Sequence, residues 1–393
     1  IINIVTKKER MSDTNGNFQL GAGTRDKYNA SAGINKRTGK YNIFANYSYR
    51  HNDRFIRGYS NNIFSDSAYN TTNNGRDQDQ FNSGKAGIDL FLNDLNTLSI
   101  SGAIMHRTEY EPQTIAYEFL NRNNVIDSSF TRFNVNRESN PTYEATIDYR
   151  KKFPDSKREL TITGNYSLTH RGSDETYSNS AIHNTLPYQL NDNDAVFENS
   201  VIQADYVHPV EKKGTFESGF RVTTRKNDTD QKIQLLSTAN EQYAPSVTGG
   251  NHFIYDEKVF AAYLLYTGRF SDRFEYNAGL RGEQTLVDGN AVTTSEQFKQ
   301  DYFSLFPSGT LKYIITPVQE LQLTYSRRIN RPNNWRLNPI INYADSLNLR
   351  SGNPYLRPEY INSLDLSYSH FWDKLTLTNS LFYRYTTDNI SFY

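Results

Sequence analysis

The residues best equipped for chemistry crowd into one stretch, RPNNWRLNPIINYADSLNLRSGNPYLRPE, residues 331–359. There Arg331, Trp335, Arg336, Tyr343 and Arg350 set forked N–H donors beside flat aromatic faces. That combination suits an anionic or ring-bearing ligand. The same stretch holds Pro332, Pro339, Pro354 and Pro358, each of which fixes φ and removes a donor. It therefore reads equally well as a rigid fold-back hairpin with Trp335 packed at its rim. Gly352-Asn353-Pro354 reads as a turn.

Other candidate chemistry is sparser. NDND (191–194), NDTD (227–230) and RDQDQ (76–80) offer carboxylates and invite a calcium reading. None has the spacing of the loop D-x-[DN]-x-[DN]-G-x₅-E, so they are expected to be solvated loop residues, and no metal site is assigned. The histidines, at 51, 106, 170, 183, 208, 252 and 370, show no ligand spacing. His51, His170, His183 and His252 fall in or near expected loops, where haem capture and ordinary surface placement both fit. No G-x-S-x-G elbow is present, so no enzyme is expected. With no cysteine there is no disulfide framework and no thiolate metal site. No cofactor is implied.

The elements that must position these residues are strands. In KLTLTNSLFYRY (374–385), Leu375, Leu377, Leu381 and Tyr383 share one parity, and Lys374, Thr376, Thr378 and Ser380 share the other. The same alternation fills 41–49, 160–169, 274–283 and 363–369, with aromatic and β-branched enrichment. No stretch shows helical periodicity. We expect roughly 15 strands of about 9–14 residues, long enough for a tilted membrane strand. Short polar turns are expected at 36–40, 93–96, 154–157, 209–214, 270–273, 316–320 and 373–374. Long Asn-rich loops are expected at 51–77, 109–136, 171–195, 228–252, 287–299 and 331–358.

Tight turns at one end and long loops at the other describe a transmembrane antiparallel β-barrel, with short periplasmic turns and long extracellular loops. Only 36% of the 393 residues are hydrophobic and mean hydropathy is −0.75, yet Tyr and Phe number 29 and 23. A barrel with a wet lumen has little oily core to fill. Aromatics such as Tyr149, Phe153, Phe270, Phe274, Phe371 and Trp372 sit where girdles would. The longest apolar run, residues 259–266, is too short for a membrane helix. Lys plus Arg equals Asp plus Glu, 43 each, with no charge block, so nucleic acid is not an expected partner.

Charged residues on the wet parity are expected to line the lumen: Lys85, Asp89, Glu144, Asp148, Asp205, Glu217, Arg221, Glu275, Arg281, Glu283 and Asp365. On the lipid face Lys or Arg would cost about 2–4 kcal/mol at midplane. Mutual pairing and plug contacts fit these residues, as does a cargo track.

Two stretches carry a resemblance. IINIVTKK (1–8) looks like the last plug strand of TonB-dependent receptors. YSRRINRPNNWRLNPIINYADSLNLRSGNPYLRPEYINSLDLSY (325–368) resembles a hallmark of the outer-membrane barrel branch of that family. Its landmarks are Arg331-Pro332, Trp335, Leu337-Asn338-Pro339, Gly352-Asn353-Pro354, Leu356 and Pro358-Glu359. The resemblance implies a plugged barrel of about 22 strands. It also implies import of a siderophore, haem, cobalamin, glycan or peptide, energised by TonB. Residues 1–8 would end the plug, and 9–393 would be a barrel domain incomplete at its C-terminus. The partners implied are the outer-membrane bilayer, TonB through a preceding N-terminal part and the nutrient cargo, with a surface lipoprotein also compatible. A passive sixteen-stranded porin, a soluble β-rich glycan-binding module and an outer-membrane hydrolase are the competing readings.

Overall fold

A computed structural model describes residues 13–64, 67–154, 157–180, 187–210, 213–237, 240–246, 249–342 and 349–391. The plug-like stretch 1–8, Tyr343 and His183 lie outside the described residues. The strands are β1 (Asp13–Gly23), β2 (Lys27–Arg37), β3 (Tyr41–Ile63), β4 (Ala68–Asn93), β5 (Asn96–Leu120), β6 (Ile126–Lys152), β7 (Glu159–Asn179) and β8 (Gln189–Val210). They continue with β9 (Gly214–Ser237), β10 (Gln242–Pro245), β11 (Asn251–Ser271), β12 (Phe274–Ala291), β13 (Glu296–Thr316), β14 (Gln319–Asn330), β15 (Glu359–Phe371) and β16 (Thr376–Thr387). One short helix, α1 (Asn334–Leu337), lies between β14 and β15.

All pair antiparallel in a single sheet that follows chain order, with β10 hairpinned onto the end of β9. Among the described residues β1 and β16 are its two edges and do not pair with each other. The fold is the all-β barrel sheet expected from the alternation.

The described short turns fall where the sequence places them, residues 155, 156, 211 and 212 lying outside the described residues, and side chains shape them. Thr38 Oγ1 accepts from the backbone N–H groups of Lys40 (3.2 Å) and Tyr41 (3.1 Å). Asn93 Oδ1 accepts from Leu95 N (3.0 Å) and Asn96 Nδ2 (2.7 Å). Such local bonds replace the ladder partners a reversing chain loses. Aromatic rings band this end: Phe216 on Tyr266 (4.5 Å), Phe270 on Tyr276 (4.0 Å) and Phe274 on Tyr313 (4.6 Å).

At the other end the structure corrects the sequence reading. The described residues of the expected loops at 51–77, 109–136, 171–195, 228–252 and 287–299 are mostly strand. β4, β5 and β6 run 26, 25 and 27 residues, far beyond the 9–14 expected. A membrane crossing uses only about 9–11 residues of a tilted strand, so the remainder of each hairpin projects past the hydrocarbon. Out there both faces are wet, and period-two hydropathy disappears although the backbone ladder continues. RDQDQ is thus in β4, NDND in β8 and NDTD in β9. Among the described residues, the long connection without strands is the one formed by 331–342 and 349–358.

At membrane depth the two faces separate. Ile43, Ile88, Ile100 and Ile147 form one cross-strand row, and Leu311, Leu323, Leu366 and Leu381 another. Their side chains point outward, Ile88 half-buried and the others exposed, Leu366 at 39% and Leu381 at 73%. In hydrocarbon such rows are favourable, and the paired backbone leaves no unsatisfied groups between them. Among the described residues no helix is long and apolar enough to cross a membrane; the crossing is made by strands.

Candidate functional site

The face opposite these apolar rows carries the charged candidates. One row runs Asn42, Asp89, Ser99, Asp148, Thr163, Gln203, Arg221, Ala261, Glu283 and Ser304, from β3 to β13. Its members bond along the row. Asp89 accepts from Asn42 Nδ2 (2.9 Å) and Ser99 Oγ (2.7 Å), and Asp148 accepts from Thr163 Oγ1 (2.6 Å). Arg221 Nε donates to Thr223 Oγ1 (3.2 Å). Asp205 accepts from Gln203 Nε2 (2.7 Å) and from the Tyr263 hydroxyl (2.6 Å) two strands away. Glu275 pairs with Arg269 near the short-turn end (2.5 Å). Lys85 stands opposite Asn46, Glu144 between Ala103 and Ser167, Glu217 between Val207 and Leu265, and Asp365 between Thr324 and Phe382.

Above this belt the inner face of β11–β13 turns apolar. Phe253, Tyr255, Val287, Ala291 and Phe298 are buried there beneath Leu337 and Ile340, with Leu356 packed alongside. The cover is formed by 331–342 and 349–358, folded back onto the wall. Asn333 caps α1 by accepting from Arg336 N (3.3 Å), which sets Leu337 downward. Gly352 is there because a Cβ would stand 2.4 Å from the Arg336 carbonyl oxygen. Its N–H donates to Asn338 O, and Asn353 N–H donates to Arg336 O, both at 2.7 Å. Glu359, at the segment's base, accepts from Asn330 Nδ2 (2.6 Å) and Ile390 N (2.5 Å). The Gly-Asn-Pro and Pro-Glu landmarks therefore hold a compact insert against the wall.

The four ligand candidates among the described residues do not converge, Tyr343 lying outside them. Arg331 turns inward, donating to Glu283 Oε2 and to Thr285 Oγ1 (3.1 Å), while Arg281 Nε donates to Glu283 Oε1 (2.6 Å). Trp335, Arg336 and Arg350 share a cavity of about 670 Å³ with Asn251, Asn342 and Leu356. The Arg336 guanidinium lies 5.4 Å from the Trp335 ring, which is half exposed. Arg350 meets Asn342 through an isolated backbone bridge. His51, His170 and His252 sit on β3, β7 and β11, which are not neighbours; His51 stacks on Tyr28, and His252 contacts Asp228 at 3.0 Å.

Sequence reasoning missed the ion-pair wall on the projecting part of β3–β7. Arg54 binds Asp77, Arg107 binds Glu109 (3.1 Å) and Arg171 binds Glu138 (2.5 Å). Asp77 and Asp79 are buried, against the expectation that RDQDQ is solvated. The signal was available: Asp77 and Asp79 share one parity of β4, and Arg107, Glu109 and Glu111 share one of β5. Glu109 stands beyond the roughly 11 residues of β5 that a crossing uses. Burial pushes its carboxyl up to about 7; Arg107 opposes this, and Glu111 and Asp77 add to it. A cavity of about 590 Å³ opens beside Arg107, Glu109, Glu111, Glu138 and Arg171. A second, of about 380 Å³, is lined by Ser173, Asn193, Thr229, Gln231, Asn251 and Asn338 between the wall and the fold-back segment.

The sheet superposes on large outer-membrane barrels. The ferric yersiniabactin uptake receptor FyuA from Yersinia pestis matches 97% of this chain and 56% of its own at 12% identity, TM-score 0.62. The alcaligin outer-membrane receptor FauA from Bordetella pertussis matches 97% and 53% at 13% identity, TM-score 0.59. The copper transporter OprC matches 97% and 55% at 12% identity, TM-score 0.63. At such identities the likeness is one of fold, and the chain spans little more than half the length of each. No curated protein sequence matches the chain. The paired strands, the outward apolar rows and the turn-end aromatic band are what an outer-membrane location requires, and residues 151–393 match the outer membrane protein beta-barrel family, to which the chain belongs.

Proposed function

We propose that the protein is the barrel part of an outer-membrane receptor that binds a bulky nutrient at its extracellular end and imports it with energy supplied through TonB. The observation that carries this reading is the fold-back segment. It covers the inner wall of β11–β13 and borders the two cavities of about 670 and 380 Å³. A capture surface beside an inward-folded insert suits a ligand held before passage better than free diffusion. Trp335, Arg336 and Arg350 are the residues in this reading that meet cargo at the rim, while Arg331 positions the insert. The charged row from Asp89 to Glu283 offers sites for a plug, of which residues 1–8 would be the end. The reading contains no catalytic step.

The passive porin is the competing reading within the membrane. A sixteen-stranded porin needs sixteen strands in its wall with the first and last paired; among the described residues fifteen strands follow one another, β10 lies off that path, and β1 and β16 do not pair. A soluble glycan-binding module is set aside by the outward apolar rows and the family.

The test is growth of a host lacking its own receptors, expressing the full-length protein, on ferric siderophores, haem, glycans or peptides as the limiting nutrient. Growth on one of these that disappears when TonB is deleted supports the reading. Growth that is independent of TonB and limited by solute size supports the porin.

A further inference from the structure

We propose that Asp77, Glu109 and Glu111 form a binding site for an oxygen-seeking divalent cation, calcium above all, on the projecting part of the β4–β5 hairpin. One carboxylate oxygen from each lies within 4.8 Å of the others. The strands place them there. Glu109 and Glu111 are two apart and so share a face of β5. Asp77 stands on β4 where the ladder passes from Gly75–Gln113 to Gln78–Tyr110, and Pro112 on β5 supplies no N–H in that interval.

A second observation points to a missing positive partner. The Asp77 side chain is 97% buried, since only 3% of it is exposed. Arg54 from β3 takes its Oδ2, and its Oδ1 is buried with no hydrogen-bond donor. The other charges facing the cluster are already engaged. Arg107 binds Glu109 at 3.1 Å and also approaches Asp79 (3.7 Å), which Arg50 approaches at 3.6 Å. On β6, Glu138 is held by Arg171 at 2.5 Å and Asn140 at 2.5 Å. With all three ionised, three carboxylates thus meet two guanidinium groups, leaving one negative charge in excess and one buried oxygen that no N–H or hydroxyl group reaches. A cation at that point answers both.

The ligand set selects the ion. It is all carboxylate oxygen, in a chain without cysteine, so a hard cation fits and a thiophilic one does not. Calcium takes about six to eight oxygens in loose geometry. The three carboxylates supply part of that shell. The adjoining cavity, lined also by Asn136, admits the ion and the waters that complete it. The bound ion ties β5 to β4, which Arg54 already ties to β3. This site needs neither cargo nor TonB, so it stands or falls apart from the import reading.

The experiment is calorimetric titration of calcium chloride into the chelator-stripped full-length protein, folded in detergent at neutral pH and moderate salt. Folding of each variant is checked by its heat-dependent migration on a gel. The expected result is saturable binding of one calcium per chain, weakened at least tenfold in Glu109→Gln and in Glu111→Gln. Asp288→Asn, an exposed carboxylate elsewhere, should bind as the wild type does. Absence of saturable binding, proton exchange without bound calcium, or unchanged affinity in both carboxamide variants overturns the assignment.

Discussion

Arg331, the first residue after β14, reaches Glu283 on β12, two strands away, and bolts the base of the fold-back segment to the wall. Both side chains are largely buried, 20% and 9% exposed. Removing one partner of a buried pair costs about 3–5 kcal/mol, because the other charge is left behind. Arg331→Gln should therefore lower the unfolding midpoint and expose 331–358 to protease, and Arg331→Lys should fall between. Glu283→Gln should lose less than the full amount added to that of Arg331→Gln when the two are combined. Unchanged protease resistance in Arg331→Gln would show that the pair does not hold the segment.

The packing of that segment gives a second expectation. Leu337, the last residue of α1, is fully buried against the wall, so Leu337→Ala should cost about 2–5 kcal/mol. Gly352→Ala should displace the stretch 349–353 from α1, because the new methyl meets backbone rather than a movable side chain. Trp335→Ala, at a half-exposed position, should leave protease resistance of the segment near the wild-type level. Cleavage rates of intact cells by added protease rank the three variants.

Facing sets the tolerance of β15. Leu366 is five residues above the short-turn end and lies on the exposed apolar row, while Ser367 is on the opposite parity. Leu366→Arg should reduce folding into lipid vesicles by about 2–4 kcal/mol, and Ser367→Arg by far less. Equal losses in the two variants would mean that the rows do not meet lipid.

The absence of cysteine makes topology directly readable. Tyr355→Cys, on the exposed tip of the fold-back segment, should react with a membrane-impermeant maleimide on intact cells. Asp94→Cys, in the β4–β5 short turn, should react only after the outer membrane is opened. The reverse pattern would invert the barrel.

The strands at membrane depth were legible because oil and water on opposite faces write period two into the residues themselves, as in Ile43 against Asn42 and Asp89 against Ile88. The short turns were legible because Thr38 and Asn93 carry their own local bonding. The projecting halves of β3–β9 were not, since a strand wet on both faces has no hydropathy rhythm and reads as loop. Clusters assembled across strands, such as Arg54 with Asp77 and Glu111, require the register, which no single segment contains. The role of Arg331 was hidden for the same reason: its partner lies 48 positions earlier in the chain.

The central claim is that one face of this sheet meets lipid and the other water. Single cysteines at Leu364, Asp365, Leu366 and Ser367 of the full-length protein in vesicles, spin-labelled and exposed in turn to oxygen and to a water-soluble nickel chelate, test it most directly. Labels at 364 and 366 should relax faster with oxygen, and labels at 365 and 367 faster with the chelate. Four labels with the same preference, or the opposite alternation, would contradict the account.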